Sequence, residues 1–259
     1  MPRYFIEVSY KGTSYSGFQI QKNSVTIQSE VEKALSIFFK RAFTLTGASR
    51  TDAGVHALQN YFHFDTDLPL TLITTPTRGF YSSEDDIALD KFLYNINAIL
   101  PLDIAVKRIY LVERNAHCRF DAISREYKYF IYKDKNPFLQ ESAYYCPYTL
   151  DITKMNEAAT LLLGNKDFTS FSKKNTQSKS FICDLQKSEW TWQEHCLIYN
   201  VKANRFLRGM VKGMVGTMLR VGKGKIDLKE FRQIIHKRDS SMSDFSVPSH
   251  ALFLIAVKY

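Results

Sequence analysis

The sequence has few cysteines and no long hydrophobic run. Cys118, Cys146, Cys183 and Cys196 lie far apart, with no CxxC pair and no histidine pair at zinc spacing nearby. This pattern predicts free thiols in a reducing compartment and no metal site. No apolar run approaches the roughly 20 residues that span a bilayer, and the opening MPRYFIEVSY does not resemble a signal peptide. We therefore expect a cytoplasmic protein that does not enter the membrane.

The common nucleotide-binding motifs are also missing. The sequence contains neither a P-loop nor a GxGxxG that follows a strand, so we expect neither a nucleotide nor a dinucleotide cofactor. Its 259 residues are 45% hydrophobic, which is enough for one large folded domain or two smaller ones.

Positive charge and aromatic residues are plentiful. The net charge is +9, and there are 15 tyrosines and 19 phenylalanines. A basic surface with aromatic rings suits a polyanion with bases that can stack, which indicates nucleic acid. The alternative is an ordinary basic protein whose aromatic residues lie in its core.

Strand-like and helix-like patterns alternate along the chain. Alternation of apolar residues predicts strands near 3–10, 43–46, 58–64, 105–112, 124–132, 188–193, 196–202 and 251–259. Helical spacing predicts helices over 27–38, 92–100, 153–164 and 228–238, with Thr26 as the N-cap of the first and Gly164 ending the third. Residues 66–88 show no clear period and are predicted to be irregular, and 173–180 to be a polar basic loop.

This order of elements predicts an α+β fold with largely antiparallel sheet. A boundary near residue 105 divides the chain into two comparable halves, 1–104 and 105–259, and each half mixes strands and helices. No internal repeat is convincing enough to indicate a duplication.

The first candidate site is the loop GASRTDAGVHA at 47–57, between two predicted strands. Gly47 and Gly54 allow it to fold tightly. Asp52 is a candidate nucleophile or general base, and Arg50 can bind a phosphate or stack on a base. The alternative is an aspartate that hydrogen-bonds its own turn.

The second candidate is the predicted helix after strand 196–202. Its three cations are spaced to share one face, and its three glycines form a stripe without side chains that indicates a close neighbour. That neighbour is either another helix or an RNA backbone, since the nearby cations exclude a membrane dimer. The cations are Arg205, Arg208 and Lys212, and the glycines are Gly209, Gly213 and Gly216.

The third candidate is RFDAISREY at 119–127, where Arg119, Arg125 and Tyr127 lead into a strand. A tyrosine on a strand usually lies in the core. None of the three candidates decides a function alone.

Taken together, these segments resemble the tRNA pseudouridine synthases of the TruA type. RTDAGVHA at 50–57 resembles the signature of that family. Further resemblances follow in the expected order and cover nearly the whole chain: YKGTSYSGFQIQ (10–21), HCRFDAISREYKYFIY (117–132), LLGNKDFTSF (162–171), ANRFLRGMVKGMVGTMLRVGKG (203–224) and LFLIAVKY (252–259).

The resemblance implies the pseudouridine synthase fold, with two α/β subdomains and mainly antiparallel sheets flanking a basic active-site cleft. The N-terminal subdomain carries the aspartate loop, and the C-terminal one carries the tyrosine and the basic helix. The implied reaction cuts uracil from C1′, rotates it and rejoins it through C5, without cofactor or metal. Asp52 stands where the family has its essential nucleophile. Three roles stay open for Asp52: attack at C1′, addition to C6, or removal of the 2′ proton.

The resemblance also assigns roles to Tyr127 and Lys212. Lys212 stands where the family commonly has arginine, and we expect it to pair with Asp52. Lysine keeps the charge but not the planar fork of arginine, so Asp52 should be oriented less tightly than usual. Tyr127 would stack on the flipped uracil, or accept or relay the C5 proton.

RNA contacts and assembly are implied as well. Arg50 would fill the gap left by the flipped base, and Arg205 and Arg208 would bind the substrate. The family forms homodimers and modifies uridines 38, 39 and 40 in the anticodon arm of tRNA. Two alternatives stay open: the same chemistry on other uridines or another RNA, and a largely non-catalytic RNA-binding protein on the same fold. The sequence departs from the family pattern at Ser49, where glycine is more usual.

Overall fold

The computed structural model describes residues 1–67, 83–174 and 178–259, and the chain forms two compact units. Unit 1 comprises residues 1–122 together with Tyr259, and unit 2 comprises residues 123–258. Both units combine helices with mainly antiparallel strands, which confirms the predicted α+β class. Within the described ranges no helix is both long enough and apolar enough to cross a membrane.

In its described residues, unit 1 contains four strands and two helices: β1 (Arg3–Tyr10), α1 (Ile27–Phe39), β2 (Thr46–Gly47), β3 (His56–Asp65), α2 (Ser83–Ile99) and β4 (Ile104–Val112). Strands β3 and β4 pair with β1 on its two edges, both antiparallel, and the two-residue strand β2 pairs with β3. Helix α2 packs against β4 and α1.

Where the structure describes it, unit 2 contains five strands and three α-helices: β5 (Ser124–Tyr132), β6 (Tyr144–Tyr145), α3 (Ile152–Leu163), β7 (Leu185–Gln193), β8 (Cys196–Ala203), α4 (Met210–Gly222), α5 (Leu228–Lys237) and β9 (Leu252–Lys258). Four of the strands form an antiparallel sheet in the order β9-β5-β8-β7, and the short strand β6 is parallel to β5. Helix α3 packs on β7 and against α4 and α5.

Local sequence signals account for where several helices begin. The Thr26 hydroxyl accepts a hydrogen bond from the backbone N–H of Ser29, and the Ser29 hydroxyl accepts one from the N–H of Thr26. This reciprocal pair satisfies two N–H groups that the first turn leaves without helical partners. Thr26 is therefore the N-cap of α1, as predicted. Asp227 and Glu230 form the same arrangement at the start of α5.

The structure corrects several predicted bounds. The strand expected over 43–46 is reduced to Thr46–Gly47, and α2 begins at Ser83 instead of residue 92. Residues 83–88 are therefore helical and not irregular. The predicted irregular segment otherwise falls largely on 68–82, and part of the predicted loop 173–180 falls on 175–177; both lie outside the described residues. The four cysteines all lie in the described residues and form no disulfide bond, which agrees with the predicted thiols.

The boundary between the units also differs from the one expected. A division after residue 104 would separate almost all of β4 from β1, yet the two strands pair from Ile104 opposite Tyr10 to Val112 opposite Arg3. The structure keeps both strands in unit 1 and divides the chain after Ala122. Composition shifts cannot reveal this pairing because it joins segments about a hundred residues apart.

Candidate active site

The loop that carries Asp52 is a tight turn within unit 1. The backbone N–H of Val55 donates to the carbonyl of Asp52 at 3.2 Å, and Gly54 has a φ of 80°, which favours glycine. The N–H of Phe18 donates to the carbonyl of Thr51 at 3.1 Å. Asp52 itself is half-buried. The turn thus fixes the backbone on both sides of a carboxylate that solvent and ligands can still reach.

A buried polar network lies beneath this turn. The Tyr10 hydroxyl is 2.8 Å from Thr51 Oγ1, and the Asn60 side-chain amide donates to the Tyr10 hydroxyl at 3.1 Å and to the Ser49 carbonyl at 2.9 Å. Burial raises the pKa of Tyr10 far above its ordinary value, so its hydroxyl remains protonated. Tyr10 can therefore donate to Thr51 while it accepts from Asn60. The network joins β1, β3 and the loop.

His56 also has a structural role in this loop. It is buried, and its Nδ1 accepts a hydrogen bond from the backbone N–H of Gly12 at 3.0 Å. A Cβ on Gly12 would lie 2.0 Å from the Val55 carbonyl oxygen, so only glycine allows the two segments to approach this closely. Of the loop's three functional side chains, Arg50 is exposed, Asp52 is half-buried and His56 supports the backbone.

The residues that support the loop were not predictable from the sequence. Tyr10 and Gly12 lie 41 and 44 positions from Thr51 and His56, their partners in the loop, and Asn60 lies 11 positions from Ser49. None of these separations corresponds to a helix or strand period, so no local spacing marks these residues. The only signal was the segment YKGTSYSG, which begins with Tyr10 and carries two glycines. Gly17 in that segment has a φ of 99° and lies against the backbone of the loop.

Tyr127 lies on β5 in the interior of unit 2. Its ring meets the ring of Phe206 edge to face, with centroids 4.9 Å apart. The neighbouring Arg125 is also buried, and its guanidinium donates to the Asn204 carbonyl at 2.9 Å. Both residues therefore pack against the segment between β8 and α4, which also carries Arg205 and Arg208.

The shared cationic face predicted for Arg205, Arg208 and Lys212 does not form. Helix α4 begins at Met210 because Gly209, its N-cap, has a left-handed backbone with a φ of 71°. Arg205 and Arg208 precede the helix, and only Lys212 lies within it. The Lys212 ammonium donates to the Ser249 hydroxyl at 3.1 Å.

The glycines of α4 approach another part of the same unit. A Cβ on Gly213 would lie 2.7 Å from the Phe245 ring, and one on Gly216 would lie 2.1 Å from the Asp244 carbonyl oxygen. The non-helical segment around 244–245 thus accounts for the close approach. Neither a second helix nor RNA, the two alternatives considered from the sequence, is needed at these two positions.

We predict that Gly216→Ala destabilises the fold by about 1–3 kcal/mol, because a backbone carbonyl must move to admit the methyl group. This loss exceeds the gain of up to about 1 kcal/mol from the better helix propensity of alanine. Gly164→Ala is the matched control, since Gly164 has a φ of −78° and no atom within 4 Å of the added Cβ. Chemical denaturation measures both free energies of unfolding, and equal values would refute the packing account.

Comparisons with known proteins place the whole chain among one group of enzymes. A sequence model described as tRNA pseudouridine synthase matches residues 158–259. The chain is 42% identical to tRNA pseudouridine synthase A of Parabacteroides distasonis, over 100% of this chain and 96% of the relative. It is 41% identical to the enzyme of the same name from Azobacteroides pseudotrichonymphae, over 100% and 97%, and 34% identical to that of Staphylococcus aureus strain JH1, over 97% and 89%.

Proposed function

The chain belongs to the tRNA pseudouridine synthase A family, and from this premise we propose that it isomerises uridine to pseudouridine in tRNA. The observation that carries the proposal is the RTDAG turn, which presents the half-buried Asp52 carboxylate on a backbone fixed by buried contacts. In the reaction the N1–C1′ bond breaks and a C5–C1′ bond forms. C5 loses a proton and N1 gains one, so the product is an isomer of the substrate.

Asp52 is the proposed nucleophile. Cleavage of an N-glycosidic bond without a cofactor needs a group that stabilises or captures the sugar or the base as they separate. A carboxylate can do this by attack at C1′ or at C6, or by removal of the 2′ proton. Because the Tyr10 and Asn60 network fixes the turn, little reorganisation is needed when substrate arrives.

Tyr127 is the proposed partner of the flipped base. Its ring is packed against Phe206, which limits its rotation and favours a fixed stacking surface. A phenol can also accept or relay a proton, which suits loss of the C5 proton late in the reaction.

We predict that Lys212→Met lowers kcat about 10²-fold or more and that Lys212→Arg retains most of the activity. The reason is that the family resemblance assigns to position 212 the positive charge that holds the catalytic aspartate ionised, and of the two variants only arginine keeps that charge. The Ser249 hydroxyl, which now accepts from Lys212, is available to either cation. Single-turnover rates measured on a tRNA transcript test this. Equal activity of the methionine and wild-type proteins would contradict the pairing.

Three arginines are proposed to bind RNA, in addition to Asp52 and Tyr127, which act on the uridine itself. Arg50 and Arg208 are exposed and Arg205 is half-buried, and the chain as a whole carries a net charge of +9. Such cations neutralise phosphates, and Arg50 is next but one to Asp52, where it can fill the space of a flipped base. The anticodon arm, with uridines 38, 39 and 40, is the proposed target.

Mapping of pseudouridine in an unmodified tRNA transcript after incubation with the wild-type protein tests the proposed function. New pseudouridine in the anticodon arm supports both the reaction and the target. Pseudouridine elsewhere keeps the chemistry and refutes the target. Binding of the transcript with no pseudouridine refutes the enzyme and leaves an RNA-binding protein.

Homodimer formation and a cytoplasmic location complete the proposal. The family resemblance supports the dimer, and four cysteines without a disulfide bond agree with a reducing compartment. Light scattering of the purified protein, with and without tRNA, measures the oligomeric state. A monomer in both conditions would refute the dimer.

A further inference from the structure

Three potential metal ligands meet in unit 1, away from the Asp52 loop. The ligand atoms of His63, His117 and Cys118 all lie within 4.8 Å of one another. No other such group of three occurs in the parts of the chain that the structure describes. We propose that these three side chains bind a zinc ion.

Two of the three ligands are fixed by the sheet. His63 lies on β3, opposite Phe5 on β1 and Thr46 on β2, and is buried. Cys118 is fully buried, with its Sγ 3.1 Å from His63 Nδ1 and 3.1 Å from the Thr46 carbonyl oxygen. A sulfur and an imidazole nitrogen thus already face each other, and a small separation from 3.1 Å to about 3.5 Å would admit a shared zinc ion.

The third ligand is more open. His117 is half-buried, and its ring centroid is 4.7 Å from that of His63. Its Nδ1 accepts from the backbone N–H of Arg119 at 3.2 Å. A ring with one solvent-facing side can turn toward an incoming ion, and the same side provides an entry path.

The donor set suits zinc by its chemistry. Zinc binds thiolate sulfur at about 2.3 Å and imidazole nitrogen at about 2.0–2.1 Å, and it takes four ligands in a tetrahedron. Donors around such an ion are about 3.5 Å apart, so a modest rotation of His117 closes the present cluster. Water can occupy the fourth position. Binding replaces the Sγ–H bond of Cys118 with an Sγ–Zn bond and releases that proton to solvent.

Neighbouring charges are compatible with a bound cation. Asp121 lies beside the cluster, where its carboxylate accepts from the backbone N–H of His117 at 2.7 Å. The nearby Arg3 guanidinium is occupied by both carboxylate oxygens of Asp65, at 2.7 and 2.8 Å, and by the Ala116 carbonyl. The positive charge of Arg3 is therefore largely compensated, and the Cys118 thiolate and Asp121 offset that of the ion.

The position of the cluster indicates a structural role. His63 is seven residues after His56, which at about 3.3 Å per strand residue places it about 23 Å along β3 from the Asp52 turn. An ion there cannot reach the reacting uridine. It would instead bind the segment after β4 to the sheet formed by β1, β2 and β3.

The test uses the full-length protein with any affinity tag removed and with metal stripped by a chelator. We expect it to bind one equivalent of zinc and, with cobalt, to show a thiolate-to-cobalt charge-transfer band. Cys118→Ser should abolish that band and weaken zinc binding at least tenfold. Cys196→Ser is the matched control, because Cys196 also follows a histidine but belongs to no described cluster of three ligands.

A second variant covers the case in which Cys118→Ser does not fold. His117→Gln changes a half-buried side chain and should also weaken zinc binding at least tenfold, with circular dichroism as the check on folding. Wild-type protein that binds no zinc in micromolar excess, or that shows no charge-transfer band with cobalt, would overturn the proposal. Wild-type zinc affinity in folded Cys118→Ser or His117→Gln would do the same.

Discussion

Asp52→Asn is expected to abolish pseudouridine formation, with a loss of at least about 10³-fold in the single-turnover rate, while tRNA binding persists. Asparagine has nearly the same shape, but its amide carries no charge and is a poor nucleophile. The turn should survive the change, because Thr51, Tyr10 and the backbone of Val55 fix it without using the Asp52 side chain in any of these contacts.

Release of tritium from C5-labelled uridine in a tRNA transcript measures this rate, and gel shift measures binding. Asp134→Asn is the matched control, because Asp134 is exposed and lies in unit 2 outside every segment assigned to the site. It should react at the wild-type rate. If Asp52→Asn keeps its rate within tenfold of wild type, another group performs the chemistry.

Tyr127→Phe is expected to lower kcat by about 10²–10⁴-fold with little change in KM. The variant keeps the ring and its contact with Phe206, so stacking on the base should persist, and only the hydroxyl that moves a proton is lost. Phenylalanine adds no bulk at this buried position, so the change introduces no overpacking, and circular dichroism checks the fold.

The comparison of two substitutions separates the two roles of this ring. Tyr127→Leu removes stacking as well, which is worth about 1–3 kcal/mol per base, so KM should rise in addition. Tyr94→Phe is the control, since Tyr94 is exposed. A wild-type kcat for Tyr127→Phe would assign Tyr127 to stacking alone.

Elements with strong local signals were predictable from the sequence. Helix α1 combines regular apolar spacing with the Thr26 cap, and α3 places Met155, Ala158, Ala159 and Leu162 in the core before ending at Gly164, as expected. In these elements, residues three or four positions apart already determine which face is buried. No longer-range information is needed.

The start of α4 was not predictable in the same way. The spacing of Arg205, Arg208 and Lys212 fits a helix, but Gly209 adopts a left-handed backbone and the helix starts one residue later. Glycine is compatible with both conformations. The Lys173 side chain, 36 residues away, lies against Gly209 and is part of what selects the left-handed over the helical conformation there.

Residues that meet from distant segments were the hardest to find. The catalytic candidate Asp52 was identified through its motif, whereas Tyr10 and Asn60, which support its loop, carry no local mark. The three proposed zinc ligands were missed for the same reason. His63 and Cys118 are 55 residues apart, so the absence of a CxxC pair does not exclude a metal site formed by these two residues.

The support of the Asp52 turn by residues far along the chain has a consequence for the folding reaction. Three of the hydrogen bonds that define the turn and its base join residues 41, 44 and 50 positions apart. Each requires closure of a long loop before it contributes stability, and such contacts form slowly. The Asp52 turn therefore reaches its active conformation only after β1 and β3 have paired. During refolding, the recovery of catalytic activity should lag behind the recovery of helix content.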